Sequence, residues 1–429
     1  MSINNLKIID LFSGAGGLTE GFRSPIFDII AHVEKDKAAC ATLRLRDCFY
    51  YLKENKHQNI YYDFLAGRIS KEKMYSMVPD EILSKTINIE INNNTLNGIF
   101  EKLDTSIKKQ TKIFAIIGGP PCQAYSTIGR GRNSAKKKDD LRIYLYRYYI
   151  EFLKKYKPEF FIFENVKGLL SFKDFDGKYL LNKKNNVLGG IMYEEFKACG
   201  YELDFRIINT QDYGIPQKRE RIVLFGVKAG NLNAISTFFQ ELAGLKDRTV
   251  NLKEAFFDLP KMNAGETKNV YSNEPNQYIK KYYRKEIDVP LTQNTSRPNN
   301  ARDLAIYREV VMAKQNKHNL KYNELSEELK THKNMNMFLD RYKALSWSAP
   351  SHTVVAHIAK DGHYYIHPDL SQNRSITVRE AARIQSFPDD FFFENSRTNA
   401  FMQIGNAVPP ILSKKIAKAI IQTCKRAVL

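Results

Sequence analysis

The chain has 429 residues, of which 43% are hydrophobic and 12% aromatic, so we expect a globular protein of about two domains and exclude a disordered one. Lysine and arginine number 66 against 47 aspartates and glutamates, a net charge of +19, which favours a phosphate-rich partner over a merely solvated basic surface. No apolar stretch approaches the roughly 20 residues of a membrane span, and the first residues are not typical of a signal peptide. We therefore expect a cytoplasmic protein without a membrane partner.

Five scattered cysteines without a C-x-x-C pair exclude a zinc cluster and argue against a disulfide framework. The sequence predicts no metal site.

Short apolar runs between residues 6 and 228 predict β-strands, and amphipathic segments such as LRIYLYRYYIEFLKKY lie between them. The predicted strands are LKIIDLF, FDIIAHV, IFAIIGG, EFFIFEN, LDFRIIN and RIVLFGV. Alternating strands and helices predict an α/β fold with a doubly wound, mostly parallel sheet. Polar segments at 51–112 and 173–188 are predicted to be insertions in this fold.

The alternation is lost at about residue 229, and aromatic and basic residues interleave up to residue 373. We predict a first domain over 1–228 that is completed by 403–429. A second, smaller and irregular domain is predicted over 229–373, and a hinge segment over 374–402.

The segment KIIDLFSGAGGLTEGF predicts a strand, a glycine loop and a helix. Gly14 and Gly16 allow a tight turn and a close approach of a ligand. The spacing differs from the G-x-G-x-x-G fingerprint, which argues against a flavin or NAD oxidoreductase. Glu34 ends the next predicted strand, where it can accept hydrogen bonds from both ribose hydroxyls, and Phe12 could stack on an adenine. The pattern predicts an adenosyl cofactor without a pyrophosphate.

The segment GGPPC ends another apolar run, because Pro120 and Pro121 lack the N–H group that a sheet requires. Cys122 is therefore predicted just beyond the carboxyl end of a strand, where open α/β sheets carry their sites. A cysteine taken at random is most often a small buried hydrophobe. On a stiff turn at a strand end, Cys122 is instead predicted to be a nucleophile.

Two further motifs carry charged residues next to buried strands. Glu164 and Asn165 end the run FFIFEN, and burial would raise the pKa of Glu164 and make it a candidate proton donor. In QKRERI, Arg219 and Arg221 lie on one side of the strand by its period of two. They could hold a carbonyl oxygen, a phosphate or Glu164.

In chain order, six motifs together resemble those of the cytosine-5 DNA methyltransferases, in particular the bacterial enzymes of restriction–modification systems. The motifs are DLFSGAGGLTEGF, GGPPCQAYS, FENV, QKRERI, TVREAARIQSFPDDF and QIGNAVPP. The resemblance implies a Rossmann-like catalytic domain that binds S-adenosylmethionine over 1–228, completed by 403–429. It also implies a target-recognition domain over 229–373 and a DNA cleft between the two domains.

The resemblance further implies a mechanism in which a cytosine is flipped out of double-stranded DNA. The Cys122 thiolate adds to C6 while Glu164 supports protonation of N3, and C5 takes the methyl group, which leaves S-adenosylhomocysteine. Loss of the C5 proton then expels Cys122. Arg221 would hold the cytosine O2, Arg219 would order the catalytic loop and Glu164, and Asn165 would fix the turn.

Ligand contacts carry over from the family by position. The implied cofactor contacts are Phe12, Gly14, Gly16, Glu34, Asp63, Pro121, Leu145 and Asn406. A mobile catalytic loop over 123–142 would contact the DNA backbone through Ser126, Arg130 and Arg142. In the second domain the implied DNA contacts are Thr353, Ala356, His357 and Lys360. The expected partner is a duplex with a short specific recognition sequence, bound by a monomer.

Two alternatives remain open at this point. A tRNA cytosine-5 methyltransferase of the same superfamily would have a much smaller second domain than residues 229–373 provide. A non-catalytic DNA-binding regulator on the same scaffold would have lost Cys122, Glu164 or Arg221, and all three are present.

Overall fold

The structure is a computed structural model that describes residues 5–107, 111–121, 125, 141–185, 187–286, 288–331 and 335–426. Its strands, in chain order, are Leu6–Leu11 (β1), Phe27–Glu34 (β2), Thr86–Asn88 (β3), Ala115–Gly118 (β4), Phe160–Val166 (β5), Asn182–Lys184 (β6), Val187–Gly189 (β7), Tyr201–Asn209 (β8), Gln217–Lys218 (β9), Glu220–Lys228 (β10) and Ser351–His352 (β11).

Seven of these strands form the central sheet in the order β3-β2-β1-β4-β5-β10-β8. Strands β1 to β5 pair in parallel, and β10 is antiparallel to both of its neighbours. The predicted mostly parallel sheet is therefore confirmed, and all six predicted strands belong to it. The three-residue strand β3 lies inside the segment predicted as an insertion, and β6 and β7 form a separate hairpin inside the other one.

The α-helices are Lys37–Glu54 (α1), Gln58–Leu65 (α2), Lys71–Tyr75 (α3), Asp80–Leu83 (α4), Leu96–Ser106 (α5), Leu145–Tyr156 (α6), Ile191–Ala198 (α7), Leu232–Gly244 (α8), Leu252–Ala255 (α9), Gln277–Tyr282 (α10), Ala301–Gln315 (α11), Val378–Ile384 (α12), Arg397–Asn406 (α13) and Pro410–Lys425 (α14). Among the described residues, no helix has the length and apolar character needed to cross a membrane.

Helices cover both faces of the sheet. Alternate residues of a strand point to opposite faces, so Ile8 of β1 joins a core with α8 and α14. Its neighbour Ile9 joins a second core with α5, α6 and α7. The sheet is buried on both sides, as a parallel sheet requires, and this is the doubly wound arrangement that the sequence predicts.

The region beyond residue 228 begins on the sheet rather than away from it. Helix α8 packs on β8, β10 and α14. A separate core forms around α11, where Ile306, Tyr307 and Val310 are buried. The proposed division at residue 228 stays a prediction, and α8 belongs by its packing to the layer of the sheet.

The segment predicted as a hinge, 374–402, is tightly bonded to its surroundings. Arg374, Arg379 and Arg383 are all fully buried. Arg383 pairs with Asp389 and also with Asp258, at 2.5 Å, far away in the sequence. Hinges and linkers are crossed by few contacts, so this packing gives the predicted hinge no support.

Candidate active site

The glycine loop follows β1 directly and adopts left-handed backbone conformations. The φ angles of Phe12, Gly14 and Gly16 are 53°, 54° and 85°. Such a conformation costs an aromatic residue about 1–3 kcal/mol and persists only where its surroundings impose it. A Cβ at Gly17 would lie 2.3 Å from the carbonyl oxygen of Val408, whereas one at Gly14 would meet no atom within 4 Å. The loop is thus pressed against the segment after α13 and open on the side of Gly14.

Glu34, at the end of β2, holds this loop in place. Its carboxylate accepts hydrogen bonds from the backbone N–H groups of Gly14 (2.8 Å), Lys35 (2.9 Å) and Asp36 (2.8 Å). Burial raises the pKa of Glu34, while these N–H groups act to lower it. A carboxylate offers about four lone-pair positions. Three are occupied, which leaves room for one ribose hydroxyl rather than the two that the sequence suggests.

Three more of the expected cofactor residues border the same edge of the sheet. Pro121 follows β4, and Leu145 begins α6. The hydroxyl of Tyr149 anchors α6 across the sheet, 2.8 and 3.0 Å from carbonyl oxygens of β4 and β5. Asn406 is exposed at the end of α13, two residues before the carbonyl that packs on Gly17.

Asp63 is placed differently from what the family resemblance implies. It lies on α2, and its carboxylate pairs with Arg68 at 2.6 Å. The residues that follow β3 at the edge of the sheet are Ile89 and Glu90, and Glu90 pairs with Lys35 at 2.8 Å, beside Glu34. This placement on α2 gives the assignment of Asp63 no support. The sequence did not predict β3, so the residues at the end of that strand were not considered.

Gly118 and Gly119, which precede the proline turn, lie so close to neighbouring strands that no side chain fits there. A Cβ at Gly118 would lie 2.0 Å from the carbonyl oxygen of Leu11, and one at Gly119 would lie 2.2 Å from that of Glu164. Buried Asn165 donates from Nδ2 to the carbonyl oxygen of Pro120 at 3.1 Å. The turn leading to Cys122 is therefore fixed from β5.

Several predicted residues lie outside the described ranges. They are Cys122, Ser126 and Arg130, together with the side chain of Arg142. Tyr125, next to them, is buried, and its hydroxyl donates to the carbonyl oxygen of Ile143 at 2.5 Å. The predictions did not single out Tyr125, although the aromatic residue stands inside the motif GGPPCQAYS.

Glu164 and Arg221 form an ion pair beyond this turn. Nε of Arg221 lies 3.0 Å from Oε1 of Glu164, and the two side chains are only 11% and 16% exposed. Burial raises the pKa of Glu164, and the guanidinium groups of Arg221 and Arg219 act against this rise. A carboxyl group with a raised pKa can hold or donate a proton near neutral pH. Arg221 can stabilise a neighbouring negative oxygen.

Arg219 is buried, and its guanidinium acts electrostatically on Glu164 while it bonds to distant parts of the chain. It is 1% exposed, and its guanidinium donates to the carbonyl oxygens of Val354 (2.6 Å), Gly405 (3.1 Å) and Ala407 (3.2 Å). These contacts join the residue between β9 and β10 to Val354 and to the end of α13. They hold distant segments together. The expected ordering of the catalytic loop by Arg219 stays a prediction, because most of that loop lies outside the described residues.

Residues 353–360, here called the recognition loop, carry the expected DNA contacts of the second domain. β11 pairs with β9, and Thr353 donates from Oγ1 to the carbonyl oxygen of Lys218 at 2.9 Å. Ala356 begins a 3-10 helix over Ala356–Ala359. His357 and Lys360 are exposed. Gln217, not singled out in the sequence, accepts from the N–H of Val354 at 2.8 Å.

The sheet, the glycine loop and the partly buried carboxyl at a strand end define the fold as Rossmann-like. A solved structure of a candidate DNA modification methyltransferase encoded within an E. coli prophage has the same fold. Its TM-score is 0.59 at 24% identity, over 98% of this chain and 100% of that one.

The chain belongs to the C-5 cytosine-specific DNA methylase family, whose model matches residues 6–67 and 72–422. It is 37% identical to the type II methyltransferase M.Bpa9945I of Bacillus paralicheniformis, over 96% of this chain and 98% of the relative. It is 30% identical to M.AgeI of Thalassovita gelatinovora, over 97% and 99%. The predicted family, fold class and enzyme class, a DNA cytosine-5 methyltransferase, are confirmed, and the tRNA alternative is not favoured.

Proposed function

We propose that this chain is the sequence-specific modification enzyme of a type II restriction–modification system, acting in the bacterial cytoplasm as a monomer. It methylates one cytosine within a short duplex sequence and so protects host DNA from a cognate endonuclease. The family supports the chemistry, and relatives named type II methyltransferases over nearly their whole length support the role. The observation that carries the proposal is the partly buried Glu164–Arg221 ion pair beside the turn that leads to Cys122.

The proposed chemistry uses that pair on a flipped-out cytosine. Glu164 hydrogen-bonds N3 and supports its protonation, and Arg221 holds O2. Sγ of Cys122 bonds to C6, which makes C5 nucleophilic. After C5 has gained a methyl group, a base removes the C5 proton, and the electrons of that bond restore the ring double bond and release the thiolate. Asn165 positions the nucleophile by holding the Pro120 carbonyl.

S-adenosylmethionine supplies an electrophilic methyl group when bound, and the glycine loop fits it. The open side of Gly14 and the remaining lone pair of Glu34 provide room and one acceptor for a ribose. Phe12 would contact the adenine, and Gly16, Pro121, Leu145 and Asn406 would complete the site. The proposal includes no metal, and no group of three or more acidic, histidine or cysteine side chains suited to a metal occurs among the described residues.

The DNA contacts remain proposals drawn from the family and from charge. Ser126, Arg130 and Arg142 would contact phosphates from the catalytic loop. His357, Lys360, Thr353 and Ala356 would meet the bases or backbone from the recognition loop. The Thr353 hydroxyl already donates its hydrogen to Lys218, so towards DNA it can only accept. The net charge of +19 supports a phosphate-rich partner.

The test is to express the chain in a host that lacks cytosine methylation and to sequence its DNA after bisulfite treatment. We expect methylation at a fixed cytosine of one short sequence. A matched Cys122→Ser expression should leave the same DNA unmodified. Unmodified DNA with the intact chain, or methylation found only in tRNA, would contradict the proposal.

A further inference from the structure

Arg297 reaches the recognition loop from a part of the second domain that the sequence motifs do not cover. It is 7% exposed. Its Nη2 donates to the carbonyl oxygen of Ile358 at 2.5 Å and its Nη1 to that of Lys360 at 3.0 Å. The guanidinium also lies 4.8 Å from the ring centroid of Phe401 in α13. One buried side chain thus links the recognition loop to the helix that ends at Asn406.

The carbonyl of Ile358 lies in the last turn of the 3-10 helix and that of Lys360 directly follows its end, where backbone acceptors lack partners within the helix. Ile358 is buried, whereas His357 and Lys360 on either side of it are exposed. Fixing the carbonyls of residues 358 and 360 therefore fixes the direction in which the exposed side chains leave the loop. The planar guanidinium of Arg297 can donate to both carbonyl oxygens at once, and a lysine ammonium lacks that geometry.

Other contacts fix the backbone of the recognition loop at residues 354–356. Arg219 holds the carbonyl of Val354, and the Tyr365 hydroxyl accepts from the N–H of Val355 at 3.1 Å. A Cβ at Gly405 would lie 2.3 Å from the backbone nitrogen of Ala356. The first half of the loop is thus fixed from β10 and α13, and Arg297 fixes the second half.

We propose that Arg297 is a positioning residue for base discrimination. It holds residues 358 and 360 so that the exposed side chains of the recognition loop meet the same groups of the duplex at every encounter. The inference rests on the proposed function. Because the described contacts of Arg297 do not include Glu164, Arg221 or the glycine loop, its loss should alter site selection and leave methyl transfer and cofactor binding in place.

The test compares the wild type with Arg297→Lys and with a matched control, Arg379→Lys. Arg379 is also a buried arginine that donates to backbone carbonyls, those of Thr292, Pro388 and Phe391, but away from the recognition loop. Each purified protein methylates the same unmethylated genomic DNA, and bisulfite sequencing gives the ratio of rates at the cognate sequence and at sequences with one mismatch. Calorimetry with S-adenosylmethionine gives the cofactor affinity.

We expect the discrimination ratio of Arg297→Lys to fall by at least about tenfold with unchanged cofactor affinity, and that of Arg379→Lys to stay near the wild type. A ratio within about twofold of the wild type, or an equal fall in the control, would overturn the inference. Should Arg297→Lys fail to fold, Arg297→Gln is measured in its place, because its amide also lacks the guanidinium fork, and a ratio within about twofold of the wild type overturns the inference equally. If the wild type methylates no DNA, the proposed function itself fails and the inference with it.

Discussion

At the scale of single residues, the proposed roles of Glu34 and Cys122 separate cofactor binding from chemistry. Glu34 holds the glycine loop through the N–H of Gly14, accepts two further hydrogen bonds from the N–H groups of Lys35 and Asp36, and keeps one acceptor position for a ligand. Cys122 follows a turn that Asn165 holds from another strand. Changes at the two positions should therefore have different signatures.

Cys122→Ser should abolish methyl transfer and leave S-adenosylmethionine binding nearly unchanged, because a hydroxyl is a far weaker nucleophile than a thiolate. The measurement is single-turnover methylation beside calorimetry of the cofactor. Cys199→Ser is the matched control. Burial raises the pKa of Cys199 to about 11, which keeps it an unreactive thiol, so this variant should retain activity. Substantial turnover by the Cys122 variant would remove it as nucleophile.

Glu34→Ala should weaken cofactor binding by about 1.5–3 kcal/mol, the typical value for hydrogen bonds to a charged acceptor. The loss combines the ribose contact with loosening of the glycine loop. Asp28→Ala is the control, since Asp28 lies near the other end of β2 and pairs with Lys7 and Lys85. Calorimetry should show unchanged affinity for the control, and an unchanged affinity for Glu34→Ala would mean that this carboxylate serves the loop alone.

At the scale of elements, the ends of β4 and β5 are packed too closely for any side chain. Gly119→Ala would place its Cβ 2.2 Å from a backbone oxygen of β5, and we expect a loss of about 1–3 kcal/mol in the free energy of unfolding. Gly98→Ala, in α5 with no atom within 4 Å of its Cβ, should instead add about 0.5–1 kcal/mol. Denaturant unfolding of both variants measures these changes. Equal stabilities would contradict the close approach between Gly119 and β5.

Helix α12 depends on an ionised carboxylate in its first turn. Glu380 accepts from the backbone N–H of Thr377 and pairs with buried Arg374. Although burial opposes it, these partners lower the pKa of Glu380 from 4.5 to about 2. A carboxyl group whose pKa is lower in the folded than in the unfolded state stabilises the fold at pH values above the unfolded pKa. This stabilisation is lost as the pH falls from about 4.5 towards 2.

Glu380→Gln should therefore destabilise the protein at neutral pH and flatten the decline of stability with acid in that window. Thermal melts over a pH series measure both effects. Glu101→Gln, at an exposed position of α5, is the control and should follow the wild-type curve. An equally steep acid decline in Glu380→Gln would show that other groups control it.

The sequence predicted elements with strong local patterns and missed those set by distant partners. The six predicted runs are the six longest strands of the sheet, because strands covered by helices on both faces are rich in apolar residues. β3 has only three residues, too few for a pattern, so the sequence did not predict the strand end that lies beside Glu34. The partners of Arg219 stand at 354, 405 and 407, and no local spacing announces contacts over that separation.

At the scale of the whole molecule, the exchange of residues 229–373 for those of a relative should transfer sequence specificity. The residues proposed for methyl transfer all lie outside that range, so the chemistry should persist. Base discrimination, worth about 1–3 kcal/mol per contacted pair, should move with the graft. Mapping of methylated sites checks this, and a chimera that keeps the parent's site would place specificity in the catalytic half.

The structure indicates which graft will fold better. Helix α8 packs on the sheet and Asp258 pairs with buried Arg383, so a graft over 229–373 replaces both. A shorter graft over 285–373 retains them. Because removal of one partner of a buried ion pair costs about 3–5 kcal/mol, the longer chimera should melt earlier unless the relative supplies an acid at position 258.

The recognition loop is anchored through main-chain oxygens, those of Val354, Ile358 and Lys360. Every amino acid brings the same carbonyl, so substitutions at the loop's exposed positions keep these anchors intact. Under the proposed role of the loop, its target sequence can therefore change one mutation at a time while the enzyme stays folded and active. Because the anchoring hydrogen bonds do not depend on side-chain identity, the proposed specificity can evolve gradually. Gradual change matters in a host where an unprotected sequence is cleaved.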